Sequence, residues 1–147
     1  MKQLGQPKIG QKVYARITRI EPDFAKAQIL AICQEDGTSF LLRNTFAGII
    51  FAKNVRSYDV EGIDLLQCFR PNDIIKAQVL TEQLGGRECS TMLSTVENDL
   101  GVVYARCESS GILLFPRSFT LSQCLISGQK EKRKNVQHNV PASSEDV

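Results

Sequence analysis

Apolar and polar residues alternate over Lys12–Ile20, with Val13, Ala15 and Ile17 on one face and Tyr14, Arg16 and Thr18 on the other, the period of a half-buried β-strand. Glu21-Pro22-Asp23 supplies a turn. Residues 24–32 then alternate again, Ala25, Ala27, Ile29 and Ala31 against Phe24, Lys26, Gln28 and Leu30, so the two runs predict a hairpin whose small inner residues suit a tight barrel. Residues 34–44 are polar and contain Asp36-Gly37, which predicts a loop before a third strand at Gly48, Ile49, Ile50 and Phe51. The polar stretch 52–73 reads as a loop with one helical turn, closed by Arg70-Pro71-Asn72-Asp73. Strands over 74–81, with Ile75, Ala77 and Val79 inward, and over 88–94 follow, joined through Gly85-Gly86. Five short strands in about 85 residues, two hairpins and a long excursion after the third predict an all-β chain built on a small closed barrel, for which the five-stranded OB fold is the best-known solution.

A second block begins after Asn98-Asp99-Leu100-Gly101. Residues 102–106 are strand-like, 107–111 a turn and 112–115 strand-like again, with Pro116 as the breaker, which implies a small hairpin unit. The polar end, with Pro141, Ser143, Ser144, Glu145 and Asp146, is expected to be disordered. The expected organisation is a polar arm over 1–8, the barrel over 9–96, a small ribbon-like β unit over 97–136 and a tail over 137–147.

With 147 residues, 42% of them hydrophobic, the chain has room for one or two small units and excludes a large multidomain enzyme. The formal charge of +2 does not by itself argue for a nucleic-acid partner. The one dense basic run, Lys130, Lys132, Arg133 and Lys134 broken by Glu131, reads as a solvated end or a contact tail. No apolar run approaches the ~18 residues of a membrane span, and the first ten residues lack the apolar centre of a signal peptide, so a soluble intracellular protein is expected. Five scattered cysteines, at 33, 68, 89, 107 and 124, fit reduced thiols better than a disulfide framework.

Three constellations carry possible chemistry. Tyr14, Arg16, Phe24 and Lys26, extended by Phe51 and Lys53, would put rings that stack on bases beside cations that meet phosphates, a sequence-tolerant RNA-binding face. The same rings would serve equally as caps on the barrel core. Cys107-Glu-Ser-Ser110 and Cys124-Leu-Ile-Ser127 have the spacing of paired zinc knuckles, but each has serine where the second thiolate should stand, so no metal and no cofactor is expected and both cysteines read as buried thiols. Asp59, Glu61 and Asp64 are a thin case for magnesium-dependent nuclease chemistry, with a solvated loop as the simpler reading, and the lone His138 offers no base.

The runs Arg19-Ile20, Phe24-Ala-Lys-Ala-Gln-Ile-Leu30, Phe46-Ala-Gly-Ile-Ile50, Phe69-Arg-Pro-Asn-Asp-Ile-Ile75 and Thr95-Val-Glu-Asn-Asp-Leu-Gly-Val-Val103 together resemble the Csl-four-type cap subunits of the RNA exosome, also called exosome component one. The resemblance spans about residues 9 to 136, and Glu97 to Val103 is its most specific part. It implies a ribosomal S-one-type OB barrel followed by a zinc-ribbon-like unit whose ligands have degenerated, with Ser110 and Ser127 as replacements. It further implies a eukaryotic, non-catalytic subunit that guides single-stranded RNA into a complex for processing of ribosomal RNA and degradation. Its partners would be RNase PH-like ring and cap proteins, in nucleus, nucleolus and cytoplasm. Members carry an N-terminal domain before the barrel, for which there is no room ahead of Lys12, so a truncated form is expected. A scaffold that bridges ring subunits without touching RNA, and a free-standing RNA-binding OB module, are the alternatives.

Overall fold

The computed structural model describes residues 7–34, 38–56, 63–81, 91–97, 99–107, 111, 113–118, 121–124, 128 and 130–136. Its first part is a closed barrel. β1 (Lys12–Ile20), β2 (Phe24–Cys33), β3 (Ser39–Phe51), β4 (Ile74–Thr81) and β5 (Thr91–Ser94) follow the circular order β1-β2-β3-β5-β4 and back to β1. All pairings are antiparallel except β3 with β5, where Gly48 faces Thr91 and Ile49 faces Met92. This is the five-stranded OB topology that the alternation predicts. Val13, Ala15, Ile17, Ala25, Ala27, Ile29, Ile75, Ala77 and Val79 all lie in the core, as expected. The interior is narrow enough that a Cβ on Gly48 would meet Leu93 Cδ1 at 2.8 Å, which explains the run of alanines.

Two expectations for this half change. The third strand begins at Ser39 rather than Gly48, because the far end of β2 needs backbone partners and finds them in residues 39–41. Pairing there tolerates polar and exposed side chains, since one face is solvent; Leu41 is 80% exposed. Among the described residues the long connection holds two 3-10 turns, Ala52–Asn54 and Leu65–Gln67, and Asp64 caps the second by accepting from the Leu66 N–H at 3.1 Å. Asp64 is therefore a structural cap, while Asp59 and Glu61 lie outside the described residues.

Beyond the barrel, β6 (Gly101–Tyr104) adds to β4, and β7 (Leu114–Ser118), β8 (Leu121–Cys124) and β9 (Lys130–Lys132) form a three-stranded antiparallel sheet. Pro116 does not break β7. It sits inside an edge strand, where its missing N–H is tolerated. The basic run, read as a solvated end, is half buried: Lys130 and Lys132 are exposed on β9, whereas Arg133 is 1% and Lys134 5% exposed. The reason is a seam. After β9 the chain runs beside β6, with Val102 donating to the Lys134 carbonyl at 2.7 Å, Val136 donating to that of Val102 at 3.2 Å, and Lys134 N–H donating to Cys68 at 2.8 Å. Arg133 Nε lies 2.6 Å from Asp73 Oδ2, Glu131 is 3.1 Å from Arg133 Nη2, and Lys134 Nζ donates to the carbonyls of Glu97 at 2.9 Å and Leu100 at 2.6 Å. Val102, Ala105, Cys107, Leu114 and Cys124 continue the barrel core without interruption. The tail from 137 lies outside the described residues, as do the Gly85-Gly86 turn and residues 1–6. Among the described residues no helix is long and apolar enough to cross a membrane.

Burial lowers the Lys134 ammonium to about 8, against Asp99 and Cys68, which favour its charge. An unfolded lysine holds its proton to about 10.4. At pH 7 the site is charged in both states and folding bears the full desolvation cost. Between about pH 8 and 10 the unfolded chain binds more protons, so the stability contributed here rises with pH, by on the order of 2–3 kcal/mol. Urea unfolding of Lys134→Met should lack that rise; parallel pH profiles for variant and parent would contradict it.

Candidate nucleic-acid interface

The β1–β2–β3 face presents the predicted residues to solvent, but as two groups rather than one. The first gathers at the β1–β2 turn. Phe24 and Phe51 are directly opposed across β2 and β3, their rings 6.1 Å apart and edge to face, both half-buried. The turn that holds them is closed by Glu21 N–H donating to Phe24 at 2.8 Å and Ala52 N–H donating to Asp23 at 3.0 Å. Lys26 is exposed one pleat away, and Lys53 is exposed in the 3-10 turn that follows Phe51. Arg19, opposite Lys26, is engaged by Glu21. The cations open to a ligand at this end are thus Lys26 and Lys53, with Arg16 diagonal to Lys26 on β1, where its Nη2 donates to Gln28 Oε1 at 2.5 Å.

Tyr14 belongs to the other end. It pairs with Ala31, seven residues along β2 from Phe24, and so lies roughly 20 Å from the phenylalanine pair. Its neighbours are Lys76 of β4, opposite it in register, and Cys33. Burial first, and then Cys33, push its hydroxyl above the usual tyrosine value. Burial also raises the Cys33 thiol against the pull of Lys76, Tyr14 and Lys12, so Cys33 is a protonated thiol at neutral pH and a poor nucleophile. Nearby, Lys12 Nζ is 2.5 Å from Asp99, a hydrogen bond that raises the lysine and, with the charge of Lys12, outweighs desolvation in holding the aspartate below its usual value. Sequence reading missed Lys76 because β1 and β4 meet only through barrel closure; the outward alternation of Ile74, Lys76 and Gln78 was the available signal.

The described ends of the two knuckle-like segments are joined in the same way. Gly111 N–H donates to the Cys107 carbonyl at 2.8 Å and Gly128 N–H to that of Cys124 at 2.9 Å, with glycine φ of 75° and 77°. Cys107 and Cys124 are buried and form no disulfide. Ser110 and Ser127 lie outside the described residues. Among the described residues no group of three or more His, Cys, Asp or Glu is placed to hold a metal ion.

Residues 37–82 match the family profile described as Exosome component EXOSC1/CSL4. Over 128 residues, 87% of the chain, it is 37% identical to the human protein named Exosome complex component CSL4 and 35% identical to the mouse protein of the same name. The fission yeast Schizosaccharomyces pombe protein, Exosome complex component csl4, is 30% identical over the same length. The alignments cover 62% of each mammalian relative and 66% of the yeast one, so the chain spans a little under two thirds of the relatives it matches.

Proposed function

We propose that the chain is a member of the exosome component EXOSC1/CSL4 family that it matches, and that it is a non-catalytic subunit of an RNA exosome that binds single-stranded RNA weakly and guides it toward nucleases on other subunits. The observation that carries the RNA-binding part is the Phe24–Phe51 pair at the rim of an OB barrel, with Lys26 and Lys53 beside it. Strands 2 and 3 are the face on which OB folds take oligonucleotides. Two rings, each worth about 1–3 kcal/mol per stacked base, give a sequence-tolerant hold rather than a tight one. A guide needs that weakness, since RNA must slide toward 3'-to-5' degradation, and few phosphate contacts make the hold modestly salt-dependent. Work in nucleus, nucleolus and cytoplasm follows from the same reading.

Ultraviolet crosslinking of RNA to the assembled complex tests it. Phe24→Ala with Lys26→Glu should reduce crosslinks to this subunit about fivefold or more. Unchanged crosslinking with the complex intact would instead favour the scaffold reading, which the near-neutral charge of +2 supports. Copurification of the tagged chain with ring subunits checks the assembly itself.

A further inference from the structure

The outer surface on the far side of β1 carries a second set of rings and cations. Arg16 of β1 is opposite Ile74 of β4, and Tyr14 is opposite Lys76. Ile74 is in turn opposite Tyr104 of β6, the strand that extends the barrel sheet. Their chain neighbours Ala15, Ile75, Ala77 and Ala105 are buried, so these residues point outward together. Tyr104 is 38% exposed, and the Arg106 guanidinium sits over its ring, 5.5 Å from the centroid. Arg106 Nη1 donates to the Gly111 carbonyl at 2.8 Å, so the cation is fixed on the ring before any ligand arrives. Arg16, held by Gln28 on the opposite side, links this surface to the Lys26 end of the face already described.

We infer that this β1–β4–β6 surface is a second contact for single-stranded RNA, in which bases stack on Tyr104 and Tyr14 while Arg16, Lys76 and Arg106 meet phosphates. The inference rests on the RNA-guiding reading above and extends it. Strands lie about 4.8 Å apart, which puts the two tyrosines roughly 12 Å from one another, a span for a short run of nucleotides. Rings spaced between cations fit a strand with alternating bases and phosphates. Protein-docking surfaces are instead depleted of lysine, and here Lys76 stands opposite Tyr14 and two residues from Ile74. The RNA path then crosses the barrel from the phenylalanine pair, over Arg16, to Tyr104.

Fluorescence anisotropy of labelled oligouridine with the full 147-residue chain at low salt separates the two readings. Tyr104→Ala should weaken binding about fivefold or more, and Tyr104→Phe, which keeps the ring, should stay within about twofold. Lys76→Glu, at a partly exposed position, should weaken binding and lower the salt slope by about one. If Phe24→Ala weakens binding while Tyr104→Ala and Lys76→Glu leave it unchanged, the second contact is overturned and the first stands. If Tyr104→Ala weakens binding and Phe24→Ala does not, the second contact stands and the first falls; no effect from any of them removes both. Unaltered RNA affinity together with loss of a copurifying subunit would assign this surface to a protein and overturn the inference. Unfolding midpoints measured in parallel guard against a loss caused by misfolding, in which case Arg106→Glu and Lys76→Glu carry the test.

Discussion

Replacing Arg133 with alanine is expected to remove about 3–5 kcal/mol of stability, since it strips a buried carboxylate of its partner. For a chain near this length that corresponds to a fall in Tm of roughly 6–20 °C. Asp73 is almost wholly buried and its Oδ2 faces both Arg133 Nε at 2.6 Å and the Arg70 N–H at 2.9 Å. Burial drives the Asp73 carboxyl above its usual range even with the guanidinium opposing that shift, so the site depends on Arg133 to keep a charge there tolerable. A lysine in its place has no planar fork to reach Asp73, Glu131 and the Lys132 carbonyl at once. Removing both charges, as in Arg133→Met with Asp73→Asn, should cost less than Arg133→Ala alone. Urea melts of the three chains decide it, and a loss below about 1 kcal/mol for Arg133→Ala would mean that the pair is not holding the seam.

Gly101→Ala should be comparably damaging, by about 2–6 kcal/mol, for a different reason. Gly101 has φ of 135°, which side-chain-bearing residues rarely adopt. A Cβ there would stand 2.4 Å from the Lys134 carbonyl oxygen and 3.1 Å from the Asn135 carbonyl carbon. Both obstacles are backbone, and the Lys134 carbonyl is already bonded to Val102, so neither yields without breaking the seam. Gly128→Ala is the control: it has a positive φ but open space around its Cβ, and should lose only about 1–2 kcal/mol. Equal melting temperatures for the two variants would show that the close approach at Gly101 carries no weight.

The barrel was legible because β1, β2 and β4 alternate cleanly and their inward positions are apolar, with alanine repeated among them. The start of β3 was not, since Asp36-Gly37 and exposed Arg43 look like loop, and only the unsatisfied end of β2 demands a strand there. Tyr14 and Phe24 were joined into one site because period-two patterning gives the face but not the register; the antiparallel pairing sends them to opposite ends. Arg133 and Lys134 looked like solvated charge because their partners are Asp73, sixty residues earlier, and the carbonyls of Glu97 and Leu100. The same seam accounts for the 97–103 segment, the most specific of the motifs. Its residues present the carbonyls that receive Lys134, the glycine that lets the returning backbone close in, and Val102, which bonds to that backbone on both sides.

The sixty-residue gap between Asp73 and Arg133 also sets an order of events on the ribosome. At about 5–20 residues per second, the aspartate is polymerised roughly 3–12 s before the arginine that neutralises it. In that interval the residues of all five barrel strands have been synthesised, yet Asp73 and the carbonyl of Cys68 still await the segment that covers them. A nascent barrel with a charge at its seam is open to water there until residues 133 and 134 are translated and cover it. The barrel is thus closed from the C-terminal side of its own strands, like a pouch drawn shut by a later length of its own cord.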